Sequence, residues 1–450
     1  MTTTANESPP DATDPRAHRA ALSARLAAFT AIQPGERAAL HWSAACFFFL
    51  MAGYYVLRSI RDALGTENDE RVLQRLFLGT LIGTVGAIIA YSWLVSRYPR
   101  SVFLPLVYRF AQLNLLMFAA AMALLPAGTQ KMASWAFFVW LSVFNLFAVV
   151  VFWSFMADLF TSEQGARLFG FVGAGGTLGA AAGAFLNTRL AGHLGVVPLL
   201  LLSVVMLEIA LLCLRRLRRL SASSPVLSSA AGSNVVIREG GVFEALARVL
   251  YSPYLLAIVV CMLMYTFSTT FLYFQQADIV RAGIAVREQR TIYFARIDLY
   301  INAVTLALQL LATARLVRIL GVGGSIAVLP AVTAAGFAIL AGRPTLDVLF
   351  WFQVVKNAAN YAVGRPAREM LYTVLRPEEK YKSKGCVDTL VFRAGDAVSA
   401  SGYRLVAAAG SAALLTAVVG MAAAWIGAGW LLGRWQAARA AHVGRMSSSS

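Results

Sequence analysis

The chain has 450 residues, 59% of them hydrophobic and only 14% charged, with a mean hydropathy of +0.66. Soluble chains run nearer ~45–50% apolar and ~25% charged, so a set of soluble domains is excluded and an integral membrane protein is expected. The net charge is +17, from 39 basic and 22 acidic residues. In a membrane protein such an excess orients the chain and meets anionic lipid, and no nucleic-acid partner is expected.

Apolar runs of about 20 residues match a ~30 Å hydrocarbon core as helices, whereas a transmembrane barrel would show ~10-residue segments of alternating polarity. Residues 1–40 form a polar tail, expected to be cytoplasmic, with a short surface helix near Arg16–Phe29. No long apolar core follows a charged start, so no cleavable signal peptide is expected. Six spans follow, near 41–62, 74–96, 102–125, 132–157, 167–189 and 194–214, making an N-terminal half over 41–214. Arg215, Arg216, Arg218 and Arg219, then a Ser-rich stretch, open a linker over 215–250 that is too polar for lipid. Six more spans, near 252–275, 291–314, 321–341, 346–373, 386–406 and 409–433, make a second half over 251–433, before a basic tail over 434–450. Two six-helix halves around a linker are the layout of a major-facilitator-like, all-α fold with twelve transmembrane helices. Basic residues concentrate on the side of the linker, while the first opposite loop, Gly65 to Glu70, is acidic. Both termini are therefore expected in the cytoplasm. The Ala- and Arg-rich composition suggests a bacterium, and hence its inner membrane.

Ionisable groups inside spans cost at least ~2.5–3.5 kcal/mol at the bilayer centre, so they face a cavity or a partner. Arg58 and Asp62, four apart on the first span, can pair, while Arg61 has no acid four residues away and is expected to be free. Span four ends at Asp158, span eight carries Arg296 and Asp298, and span eleven carries Asp388, Arg393 and Asp396. Span ten is the richest. Lys356, Asn360 and Tyr361 share a face, Arg365 and Glu369 stand four apart, and Arg368 lies between them. Candidate substrate-binding residues are Arg58, Arg61, Asp158, Lys356, Asn360, Tyr361, Arg365, Lys384 and Arg393. Candidate gating or coupling pairs draw on Asp62, Arg296, Asp298, Arg368, Glu369 and Asp396. The surplus of embedded cations favours an anionic substrate, because arginine offers forked donors to phosphate or carboxylate.

The run Gly173 to Gly183 is not preceded by a strand, so it is no phosphate cradle. Gly175, Gly179 and Gly183 instead form a seam that lets another helix approach closely. Cys46, Cys213, Cys261 and Cys386 lie far apart, in or beside apolar runs, and read as small core hydrophobes. No metal spacing, nucleophile–base arrangement or large polar loop is present, so neither a cofactor nor enzymatic catalysis is expected.

Three segments carry a family resemblance. Gly53-Tyr-Tyr-Val-Leu-Arg-Ser-Ile-Arg-Asp-Ala-Leu64 is one. Phe152-Trp-Ser-Phe-Met-Ala-Asp-Leu159 with Ala166-Arg-Leu-Phe-Gly-Phe-Val-Gly-Ala-Gly175 is another. The third is Asn357 to Asp396, with its aromatic, its Pro, Glu369-Met-Leu-Tyr372, and Lys382-Ser-Lys-Gly385 before Asp388. In order and spacing these resemble the ATP/ADP translocases of plastids and obligate intracellular bacteria. The resemblance implies a major-facilitator-like antiporter of nucleotides, without bound cofactor, in which Arg61, Asp158 and Lys384 take part in recognition. It also departs from that pattern. The family's seventh span tends to carry an acid, whereas Tyr265 to Phe274 holds none and the nearest is Asp278. The implied substrate class therefore extends to other anionic solutes.

The expected function is secondary transport by alternating access of a small anion, with ATP/ADP-type exchange as its sharpest form, by a chain expected to be monomeric. A proton-coupled exporter of a drug or metabolite, and a membrane scaffold without transport, remain as alternatives.

Overall fold

The computed structural model describes residues 36–97, 100–223, 251–375, 384–385 and 387–448. The expected surface helix near Arg16–Phe29, the linker beyond Ser223, and Arg376, Lys380, Lys382 and Cys386 lie outside the described residues. The apolar runs form α1 (Arg37–Gly65), α2 (Glu70–Arg97), α3 (Arg100–Leu124), α4 (Ala127–Leu159), α5 (Ser162–Leu194) and α6 (Val196–Ser223). After the linker come α7 (Pro253–Gly283), α8 (Arg287–Leu311), α9 (Thr313–Gly342), α10, α11 and α12 (Ser411–Ser448). α10 is made of Leu346–Ala359, a π-helical turn Asn360–Gly364, and Arg365–Leu371. α11 begins with a π-helical turn, Val387–Val391, and continues as Phe392–Ala408.

Local chemistry sets the helix starts. Thr161 and Gln164 form a reciprocal capping box that begins α5 just after α4 ends. Ser252 accepts from the Leu255 N–H, and Pro253 takes the first position of α7, where a missing N–H costs nothing. Among the described helices, 10 are individually long and apolar enough to cross a membrane. The other two expected spans are α10, divided by its π turn, and α11, whose α-helical part Phe392–Ala408 has 17 residues, so neither offers one long uninterrupted α-helical window. Two ends differ from the sequence expectation. α6 runs on through Arg215–Arg219 rather than stopping at 214, because nothing there breaks a helix before Ser223. α9 starts at Thr313, and Gly321 (φ 65°) supplies the left-handed kink from which its membrane stretch departs.

The packing repeats with an offset of six helices. α1 packs on α5 and α6 as α7 packs on α11 and α12. α3 packs on α6 as α9 packs on α12, and α2 on α4 as α8 on α10. The halves touch where α8 meets α1 and α5, and where α2 meets α11. The predicted glycine seam is the closest approach of α1 and α5. A Cβ on Gly175 would lie 2.6 Å from the Ala44 carbonyl oxygen, and Cβ atoms on Gly179 and Gly183 would collide with the backbone at Phe48 and Ala52. Side chains of any size there would push the two helices apart.

One apolar core is built almost wholly from α1 and α3–α6, around Leu57, Leu141, Phe152 and Leu207. A second lies wholly in the C-terminal half, around Ile258, Leu329 and Trp425. The third mixes the halves. Ala63, Leu73, Leu76 and Phe138 pack with Phe271, Phe274, Phe294 and Tyr403. Its members from α1 and α2 flank the α1–α2 loop. The halves thus share a core at the α1–α2 loop end and keep separate cores toward the linker end.

Candidate functional site

Among the most charged helical surfaces at this junction is that of α1. Arg58 reaches α8, with Nη2 3.4 Å from Asp298 Oδ1, and only grazes Asp62 at 4.0 Å. The pair predicted from i,i+4 spacing is therefore the longer of its two contacts. Asp298 on the other half is the nearer acid, and it is almost fully enclosed. Arg61 is not free, contrary to the sequence expectation. Its Nε and Nη2 donate to Asp62 Oδ1 at 3.0 and 2.6 Å. Neighbouring residues on a helix point ~100° apart, yet the long Arg61 side chain folds back. The Phe138 ring, 5.4 Å from its guanidinium carbon, and Ser142 Oγ at 3.3 Å hold it there.

α7 and α11 complete the layer. Tyr273 donates its hydroxyl to Asp62 at 3.4 Å, crossing between the halves. Arg393 donates to Asp396 Oδ2 at 3.3 Å and to the Ser142 backbone carbonyl at 2.8 Å. Thr270 donates to Asp396 Oδ1 at 3.2 Å. Ser142 on α4 is therefore a meeting point for an arginine of each half. Asp298 Oδ2 has no hydrogen-bond partner among the described residues.

Beside this layer α10 presents Lys356, buried at 2% exposure. Its ammonium donates to Thr269 Oγ1 at 3.1 Å and lies 5.8 Å from the centre of the Tyr265 ring. It makes no ion pair among the described residues. Asn360 donates to the Tyr265 hydroxyl at 3.1 Å. Tyr361 is half-buried and packs against the core that the two halves share. The junction thus holds three cations (Arg58, Arg61, Arg393) against three carboxylates (Asp62, Asp298, Asp396), and a fourth cation, Lys356, lies within the C-terminal half against Thr269, the chain neighbour of Thr270.

Other predicted residues stand apart. Arg365 is exposed and does not pair with Glu369; Glu369 instead accepts from Lys384 at 2.6 Å, across the α10–α11 joint. Lys384 is thus held in a half-exposed pair outside the central group. Arg368 finds no acid within salt-bridge reach among the described residues. It donates to Met262 Sδ at 3.3 Å and lines a pocket of the C-terminal half with Tyr265, Asn360 and Trp425. Arg296 is exposed and forms no ion pair among the described residues. It sits two residues from Asp298, which places it ~200° round α8, away from the junction. Asp158 lies in the last turn of α4, and its side chain is outside the described residues.

Neutral residues completed the site unannounced. Ser142 is a single polar group in an apolar span, and Thr269 and Thr270 sit in the hydroxyl-rich run Thr266 to Thr270, whose spacing does not mark which of them serve the site. Tyr55 and Tyr265 had a weak signal, each lying one helical turn from a polar or charged neighbour.

Further contacts between the halves lie toward the α1–α2 loop end. Arg287 forks onto Glu67, with one arm at 2.9 Å, and Arg290 donates to Thr66 at 3.2 Å. Arg404 donates to Gln74 at 3.0 Å, and Gln74 donates to Ser401 at 2.9 Å.

Glu208 clips α6 to α3. It accepts from Arg109 Nη2 at 2.9 Å and from Gln112 at 3.0 Å.

No family model and no curated protein sequence matches the chain. Solved structures do match in fold. One is a bacterial homologue of the human lysosomal transporter Spinster, in an inward-facing and unoccupied conformation. It is 14% identical, has a TM-score of 0.54, and covers 91% of this chain and 96% of that one. Another is a mutant of the nucleoside transporter NupG, 13% identical, with a TM-score of 0.54, covering 89% of this chain and 98% of that one. The chain therefore has the twelve-helix, major-facilitator-like fold that these two transporters share.

Proposed function

We propose that the protein is a secondary transporter that moves an anionic solute by alternating access, with phosphorylated nucleotides as the sharpest candidates. One observation carries the reading. Lys356 is buried within the C-terminal half with no carboxylate partner among the described residues, against Thr269 and the Tyr265 ring, and Thr269 adjoins Thr270, which donates to Asp396 of the junction. A buried, unbalanced cation is costly and is kept where a ligand anion neutralises it. Arg58, Arg61 and Arg393 can fork onto phosphate or carboxylate oxygens, and Tyr55, Tyr265 and Tyr361 offer faces on which a base can stack.

The carboxylates give this site a conformational consequence. Asp62, Asp298 and Asp396 occupy the arginines while the α1–α2 loop end is closed. A substrate anion competes for the same donors, so its binding loosens the contacts that hold the halves together at that end. The resemblance to nucleotide antiporters and the fold shared with a nucleoside transporter both support a nucleotide substrate.

The test uses purified protein in liposomes preloaded with unlabelled ADP, following labelled ATP. Uptake that needs internal nucleotide, and that falls at least tenfold in Lys356→Ala, is expected. A folded wild-type protein that takes up neither nucleotides nor other phosphorylated or carboxylated anions would overturn the proposal. A second reading, proton coupling, draws on the unpartnered Oδ2 of Asp298. It predicts uptake that follows an imposed pH gradient and is lost in Asp298→Asn.

A further inference from the structure

We propose that the groove between α2 and α11, at the α1–α2 loop end, binds the phosphate of an anionic phospholipid from the surrounding leaflet. The groove has a volume of about 540 Å³ and brings together Arg71, Arg75, Gln74 and Leu78 of α2 with Ser401 and Arg404 of α11. Three guanidinium groups line it, and no carboxylate does. Gln74 and Ser401 form its neutral floor, and Arg404 spends one donor on Gln74 Oε1 at 3.0 Å. Arg71 and Arg75 are exposed and make no ion pair or side-chain hydrogen bond among the described residues. They stand four apart on one helix, where like charges repel.

The acids of the adjoining loop do not relieve them. Glu67 is taken by Arg287, and Asp69 Oδ1 accepts the Val72 N–H at 2.8 Å, capping α2. Glu70, at the start of α2, pairs with neither arginine. A phosphate diester is the anion whose geometry suits several forked donors.

The apolar surroundings select a lipid as the bearer of that phosphate. Below Arg71 and Arg75, the same helical stripe continues through Leu78, Ile82 and Ile89, which are 50%, 64% and 66% exposed. From Leu78 to Ile89 the stripe runs ~16 Å at 1.5 Å per residue. On α11, Val398 and Leu405 are exposed at 60% and 78%. A headgroup at the arginines would lay its acyl chains along these residues, whereas a free phosphate would have no use for them. Because α2 and α11 belong to different halves, one headgroup would bridge the halves while this end is closed.

The test is native mass spectrometry of the full-length protein in micelles holding equal amounts of phosphatidylglycerol and phosphatidylcholine. Wild-type protein is expected to retain phosphatidylglycerol at least tenfold over phosphatidylcholine. Arg75→Gln, which removes no hydrogen bond or ion pair among the described residues, should cut that ratio several-fold. Arg71→Gln/Arg75→Gln/Arg404→Gln should bring it near one. Arg434→Gln, an exposed arginine at the opposite end of the molecule, should leave it unchanged. Equal retention of the two lipids by wild-type protein would overturn the proposal, as would a preference that survives in both Arg75→Gln and the triple variant. Displacement of phosphatidylglycerol by millimolar glycerol phosphate would assign the groove to a soluble phosphate instead. The readout is binding alone, so it stands or falls independently of transport.

Discussion

Replacing Asp298 by asparagine tests whether the central ion pairs hold one end of the transporter shut. Asp298 is enclosed, its side chain 4% exposed, and its nearest charge is Arg58 Nη2 at 3.4 Å, on the other half. With an effective dielectric of ~20, that attraction is about 5 kcal/mol. Asparagine keeps the volume and one acceptor, removes the cost of burying a carboxylate, and leaves Arg58 with Asp62 at 4.0 Å. These offsets reduce the net loss to about 1–3 kcal/mol, which shifts a two-state ratio by roughly 5- to 150-fold. The assay is electron–electron distance measurement between spin labels at Asp69→Cys and Gln289→Cys, both exposed and on opposite halves at the α1–α2 loop end. Asp298→Asn should move population from a short to a long distance by that factor. Arg109→Ala breaks a half-exposed pair within the N-terminal half, worth ~0–1 kcal/mol, and should leave the distribution alone. A distribution for Asp298→Asn that matches wild type would refute the claim that the Arg58–Asp298 pair biases the equilibrium.

Two further outcomes follow from the same packing and burial. Gly179→Leu drives a side chain into the Phe48 backbone and should cost about 1–3 kcal/mol or more, read as lost monodisperse protein after mild heating, while Gly170→Leu, which meets open space, should behave as wild type. Lys356→Met removes a buried charge that lacks a carboxylate, so its melting temperature in detergent should rise while anion uptake disappears. A fall in melting temperature would show that the Thr269 and Tyr265 contacts more than repay burial of the ammonium.

The sequence reading succeeded where the signal was local and failed where partners come from afar. Span positions follow from apolar runs, and the Gly175–Gly179–Gly183 seam follows from spacing on one helix. Both needed no knowledge of neighbouring helices. Ion pairing did need it. The i,i+4 rule linked Arg58 to Asp62 and Arg365 to Glu369 because it sees one helix at a time, yet the nearer partners are Asp298 and Lys384, on other elements. Arg296 and Asp298 looked equivalent as charges two apart, and only the placement of α1 shows which of them faces the junction. Ser142 was invisible for a deeper reason. Its value lies in one hydroxyl and one carbonyl that a cation from each half can reach, at 3.3 Å from Arg61 and 2.8 Å from Arg393. Residue type along the chain does not encode that coincidence. It arises because Arg61 of α1 and Arg393 of α11 both reach the same turn of α4, so the meeting of two cations at a neutral residue is a property of the packing. The same packing leaves those cations held by carboxylates that a substrate anion could replace.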